Sequence, residues 1–175
     1  MKQVQLLTII IIKNGFFLIP LLLACIYYFH LPSIPGDLMD ARFNMYILEH
    51  GYLWIEGVDR SFWSAPFFYP QPFVTAYSDN LLGSLPFYFL LRKIGEEREN
   101  AFRAYIILIF ILNYLSTYWV LRRWNICSLG AIGGAYLFTF SLPSMAQINH
   151  IQLAPRFLIP FGFYFLFLLC ESKKN

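Results

Sequence analysis

AYIILIFILNYLSTYWVL, Ala104 to Leu121, runs for 18 residues without a charged side chain. A bilayer's hydrocarbon core is crossed by about 20 apolar residues of helix, so this run reads as a membrane-crossing helix. Working outward, Leu153 to Cys170 is another run of 18 residues and nearly as apolar. Towards the N-terminus, Leu6 to Tyr28 gives 23 residues broken only by Thr8, Lys13 and Asn14. Leu129 to Met145 is weaker, with Gly130, Gly133, Gly134 and Pro143 inside it, and Phe73 to Leu91 is weaker again because Ser78, Asp79 and Asn80 interrupt it. The runs predict an all-α, polytopic transmembrane helical bundle of four to five membrane segments, forming a single transmembrane domain over residues 1–175.

Composition agrees. The chain is 58% hydrophobic and 13% charged, against about 25% charged for a soluble domain, whose surface needs those groups. A mean hydropathy of +0.55 points the same way: lipid bilayer, rather than water, covers much of this surface. The N-terminal run is too long for a signal-peptide core, and CIYYFHLPSIPG after it offers no small-residue cleavage site. It reads as an uncleaved first helix, beginning at Leu6 or, if Lys13 and Asn14 are kept out of the membrane, near Asn14. The net charge of +3 gives no reason to expect nucleic acid as a partner. The three cysteines, Cys25, Cys127 and Cys170, have no metal-ligand spacing and read as buried structural thiols.

Between the first run and Phe73 lies an interval, about residues 30–72, holding five of the ten acidic residues: Asp37, Asp40, Glu49, Glu56 and Asp59. It is too long for a simple turn between helices, and Trp54, Trp63, Phe67, Phe68 and Tyr69 suit the headgroup zone, where an aromatic ring keeps one edge wet. A folded loop on the membrane surface is expected. Arg92, Lys93, Arg98 and Arg103 form the strongest basic cluster and are placed on the cytoplasmic side, with Lys2 and Lys13; the 30–72 interval then falls on the outer face. Arg122, Arg123, Lys173 and Lys174 conflict with strict alternation, which a re-entrant 129–145 segment would relieve.

Within the interval, GDLMDARFNMYILEHG is punctuated as a helix by Pro35 and Gly36 before it and Gly51 after it. At helical spacing Asp37, Asp40 and Asn44 fall within about 60° of one another, with Met39, Phe43 and Tyr46 over much of the opposite side. This predicts an amphipathic surface helix with a carboxylate stripe. Asp37 suits an N-cap and Asp40 the positive end of the helix dipole; alternatively, Asp37 or Asp40 is a general base at the membrane surface. Asp79 lies inside an apolar run, where an ionisable group is costly and marks a site, unless Ser78 or Asp79 caps a helix starting at Asn80. In MAQINHIQLAPRFLIP, Gln147, Asn149, His150, Gln152 and Arg156 could together hold a phosphate or sugar hydroxyls. No phosphate-binding glycine loop, dinucleotide fingerprint, nucleophile elbow or Cys/His metal pattern occurs, and the GAIGGA run reads as close helix packing.

The order of these features, PGDLMDARF in a loop after the first helix, then YPQPF, SDNLLGSLPFYFLLRKIG and FTFSLPSMAQINHIQL, resembles the N-terminal part of the GT-C superfamily of membrane glycosyltransferases. Oligosaccharyltransferases and protein mannosyltransferases belong to that superfamily. The likeness covers roughly residues 6 to 170. It implies transfer of a sugar from a polyprenyl-phosphate carrier to an acceptor on the outer face of the cytoplasmic (inner) membrane, by a multi-pass protein. An acidic residue in the first outer loop acts there as base, here Asp37 or Asp40. Arg42, Asp79, His150 and Gln152 are the matching substrate-binding candidates, with Arg42 and His150 facing the leaving phosphate. Some members use a divalent metal, although this sequence displays no full ligand set and no other cofactor is indicated. Members carry more membrane helices, so the chain reads as an N-terminal portion, with further helices supplied elsewhere, including from another chain. The competing expectation is a non-catalytic small integral membrane subunit or lipid-handling protein, in which the same charges are caps and headgroup contacts.

Overall fold

The computed structural model describes residue 23, residues 39–147 and residues 149–172. Apart from Leu23, the first predicted membrane segment lies outside the described residues, as does Asp37. Every element among the described residues is helical: α1 Asp40–Ile55, α2 Leu85–Lys93, α3 Arg98–Arg123, α4 Ser128–Phe140, α5 Leu142–Ala146 and α6 Leu158–Ser172, with short 3-10 turns at Val74–Tyr77 and Ile151–Leu153. The chain gathers into two compact units. One contains residues 39–106 and 149–153; the other contains residues 107–147 and 154–172.

In the first unit, α1 opens with Asp40 in its first turn, where a carboxylate meets the partial positive charge of unpaired backbone N–H groups. It runs past Gly51 and stops at Gly57, which takes a φ of +77° that glycine adopts without a Cβ penalty. The Gly57 N–H donates to the Trp54 carbonyl at 3.0 Å and the Val58 N–H to the Leu53 carbonyl at 2.9 Å, so the last carbonyls are satisfied. Gly51 is thus a packing residue rather than a stop: a Cβ built there would lie 2.7 Å from Leu85 Cδ1 on α2. One face of α1 is buried, while Asp40 is half exposed and Arg42 exposed. Ala41, Asn44, Met45, Ile47 and Leu48 are buried, and the predicted polar stripe turns inward at Asn44 while Met39 is exposed.

Phe73 to Leu91 does not become a spanning helix. It contains the Val74–Tyr77 turn and most of α2, whose nine residues rise only about 14 Å against a core of about 30 Å. This removes the barrier that would set the 30–72 interval and the 92–103 cluster on opposite faces. The Arg92 guanidinium donates to both Glu49 carboxylate oxygens, Nη2 to Oε1 at 2.9 Å and Nε to Oε2 at 3.0 Å. Tyr88, wholly buried, donates its hydroxyl to Glu49 Oε2 at 2.6 Å, and Lys93 pairs with Glu56 at 2.7 Å. The opposite-face assignment therefore does not hold for these two segments.

Among the described residues, three stretches are long and apolar enough to cross a membrane: Arg98–Arg123, Ser128–Ala146 and Ile151–Ser172. The last has only 6% of its apolar window buried, so its side chains present an apolar surface on nearly every side, as lipid or further helices require. The glycine-rich run is helical to Phe140, breaks at Ser141, whose backbone is extended, and resumes at Leu142 with Pro143 in the first turn. Of its glycines, Gly134 makes the close approach, a built Cβ falling 2.6 Å from Leu121 Cδ1, whereas Gly133 faces open space. Cys127 and Cys170 are exposed rather than buried: one sits in the loop before α4 and the other on the sparsely packed α6.

Asn113, the amide in the middle of α3, organises the second unit. Its Nδ2 donates to the Ala154 carbonyl at 2.9 Å and its Oδ1 accepts from the Arg156 N–H at 3.0 Å, which satisfies backbone groups left unpaired where the chain is irregular before α6. Arg156 is spent locally, donating to Ser144 Oγ at 2.6 Å and to the Phe138 carbonyl at 3.3 Å.

Candidate functional site

The first unit brings together residues from opposite ends of the sequence. Asp40 and Asn44 lie one turn apart on α1; His150 and Gln152 alternate along the segment that enters the Ile151–Leu153 turn. Ile151 points between them into the core and is fully buried, which leaves its two neighbours to face α1. His150 Nδ1 meets Asp40 Oδ2 at 2.8 Å, both side chains about half exposed at 46% and 48%. Asn44, buried, donates from Nδ2 to Gln152 Oε1 at 2.8 Å across 108 residues of chain. The Leu153 N–H closes on the His150 carbonyl at 2.9 Å and keeps this segment in place.

Two rungs result, one charged and solvent-facing, one neutral and buried. With a carboxylate at Nδ1, that nitrogen carries the proton, and the Nε2 lone pair points away from the carboxylate. Nε2 makes no hydrogen bond among the described residues. Such a pair can take a proton from a hydroxyl brought to Nε2, or to the second oxygen of Asp40, without rearrangement. The inner rung fixes the register, because Asn44 and Gln152 hold α1 and the 149–153 segment together a single turn from the Asp40–His150 pair. Asp40 and His150 are two groups of ligand type, and among the described residues no three His, Cys, Asp or Glu side chains converge as a metal-ligand set.

Of the remaining candidates, Arg42 is two residues from Asp40 but about 200° further round the helix. It lines a separate cleft with Tyr46, Glu49 and Arg98, not the Asp40–His150 pair. Asp79 is exposed in the loop before α2 and caps nothing, since that helix begins at Leu85 with Ser84 in the cap position. The Asx turn at this point is made by Asn80, whose Oδ1 accepts from the Leu82 N–H at 3.0 Å. Arg156 belongs to the second unit.

In the sequence His50 is not a site candidate, and Tyr46 falls there only on the side of α1 opposite the carboxylates. His50 is buried, with Nδ1 2.7 Å from Asp59 Oδ2 and Nε2 3.0 Å from the Phe62 carbonyl. Both partners accept, so the ring ties the 57–62 loop to α1 from two sides. Tyr46 stacks parallel to this imidazole, with ring centroids 6.4 Å apart; burial, helped by the Asp59 carboxylate, pushes its phenol above the usual range, so it stays a neutral hydroxyl.

No protein-family model, curated protein or solved structure matches this chain.

Proposed function

We propose that this chain carries the catalytic site of a multi-pass membrane glycosyltransferase of GT-C type. It would transfer a sugar from a polyprenyl-phosphate donor to a hydroxyl acceptor at the face of the membrane on which the first unit lies. The observation that carries the reading is the Asp40–His150 pair at 2.8 Å. Two segments far apart in the sequence meet there, and the chain also holds stretches apolar enough to cross the bilayer that would carry a lipid-linked substrate. Two of those stretches, Arg98–Arg123 and Ser128–Ala146, separate Asp40 from His150 in the chain. Two crossings return the chain to the face it left, as a shared site requires.

In this reading the acceptor O–H gives its proton to the Asp40–His150 pair as its oxygen bonds to the anomeric carbon. The anomeric C–O bond to phosphate breaks, and its electron pair leaves with the polyprenyl phosphate. Asp40 positions the imidazole and stabilises it once protonated. Gln152, fixed by Asn44, offers its amide to a sugar hydroxyl.

The test is sugar transfer by the purified chain in lipid, from a panel of polyprenyl-phosphate hexoses to lipid and peptide acceptors. Asp40→Asn and His150→Gln should each lower the rate by about 10²-fold or more, the usual contribution of a positioned base, with unchanged protein level in the membrane. Activity in both variants near that of the parent, or no transfer by the parent from any donor, would overturn the assignment.

A further inference from the structure

The face of α1 opposite Asp40 lines a cleft of about 460 Å³, within the usual range for small-molecule sites. Arg42, Tyr46 and Glu49 come from α1, Asp59 from the loop after it, and Arg98 and Glu99 from the first turn of α3. The charges in it are not equivalent. Glu49 is already held by both arms of Arg92 and by Tyr88, and Asp59 is held by His50. Neither the Arg42 nor the Arg98 guanidinium makes a hydrogen bond or ion pair among the described residues, and Glu99 makes none either. Two guanidinium cations are therefore without partners among the described residues; of the carboxylates, Glu99 is also unpartnered there, and Asp59 meets an imidazole, which is charged only if protonated.

Arginine presents its N–H groups as a planar fork that matches phosphate oxygens two at a time. Here two such forks, from two different helices, border one space, which Tyr46 also lines, with Met45, Leu53 and Pro66 as apolar wall. We infer that this cleft binds a phosphorylated group, with Arg42 and Arg98 on the phosphate oxygens and the apolar wall against the organic portion. Its chemistry fits either a phospholipid headgroup at the membrane surface or a soluble phosphate ester. The site lies away from the Asp40–His150 pair, and the inference does not depend on the glycosyl-transfer reading.

The experiment uses the full chain in lipid nanodiscs. In one arm, discs of phosphatidylcholine are titrated with pyrophosphate by calorimetry. In the other, phosphatidylglycerol replaces part of the lipid, and the lipid retained by the protein is counted by native mass spectrometry. Saturable binding in either arm, weakened about tenfold or more by Arg42→Gln and by Arg98→Gln but not by Arg60→Gln, is the expected result. Binding in the first arm alone identifies a soluble phosphate ester; retention in the second alone identifies a headgroup. Arg42→Lys keeps the charge without the fork and should lie between, which guards against a variant that fails to fold. Binding in neither arm, or binding that both glutamine variants change by less than about twofold, overturns the inference.

Discussion

Replacing Glu49 by alanine tests how the first unit is held together. The carboxylate is 13% exposed and its partner Arg92 21%, so solvent screens the pair only partly. Removing one member of a fully buried pair costs about 3–5 kcal/mol, whereas an exposed pair contributes at most about 1 kcal/mol. The partial burial, together with the lost acceptor of the Tyr88 hydroxyl in a fully buried ring, places Glu49→Ala at about 2–4 kcal/mol. For a chain of this size that is a fall on the order of 5–10 °C in Tm, measured by fluorescence melting in detergent. Arg92→Ala should cost more, because Arg92 also donates to the Glu96 carbonyl at 2.6 Å and lies over the Tyr52 ring at 4.7 Å. The double variant should fall well short of the sum of the two, with a coupling on the order of 1–3 kcal/mol. A Glu49→Ala loss below about 1 kcal/mol, or strictly additive losses, would refute the claim that this pair joins the two segments.

Other expectations follow from the same contacts. With native cysteines replaced by serine, single cysteines at Arg60 and Glu97 should react with a membrane-impermeant maleimide from the same side of sealed vesicles; labelling from opposite sides would restore the opposite-face topology. Asn113→Leu unties the Ala154 carbonyl and the Arg156 N–H and should destabilise the protein by about 1–2 kcal/mol, the upper range for hydrogen bonds between membrane helices; an unchanged melting curve would show that water replaces the amide. Burial and the Glu49 hydrogen bond push the Tyr88 phenol well above its ordinary value of 10.0. The folded state therefore holds that proton more tightly than the unfolded state. Its contribution is complete below the unfolded value and is lost as pH rises through and beyond it, so Tm should fall above about pH 10. That alkaline slope should be shallower in Tyr88→Phe, and equal slopes would refute the assignment to this residue.

The long helices were legible because a membrane segment advertises itself by length and apolarity alone: Ala104–Leu121 was expected and Arg98–Arg123 is found. Phe73–Leu91 misled for the same reason. Its apolar residues are spread over a loop, a 3-10 turn and a nine-residue helix, and the interruption at Ser78–Asn80, which weakens the run in the sequence, falls in the loop that ends it as a spanning segment. Gly51 read as a stop because glycine commonly ends helices, whereas here its missing Cβ makes room for Leu85, a tertiary fact with no local signature. Asn113 reads in sequence as one amide in an apolar run, and the backbone it satisfies lies more than 40 residues away.

The candidate site divides along the same line. Asp40, His150 and Gln152 could each be singled out by residue type, since polar groups next to apolar runs are expensive to keep without a role. Their meeting could not be read, because it depends on the chain leaving the first unit along α3 and re-entering it at residue 149. Arg42 shows the opposite error, in which nearness in sequence stood in for nearness in space. On a helix a separation of two residues is close to a half-turn, so a guanidinium grouped with Asp40 by position faces away from it. That geometry gives α1 two polar faces, the Asp40–His150 pair proposed to accept a proton on one and an arginine-lined cleft on the other. A substitution on one face should leave the other's readout unchanged. Asp40→Asn should abolish transfer while pyrophosphate or headgroup binding persists, and loss of both together would mean that the two faces act as one site.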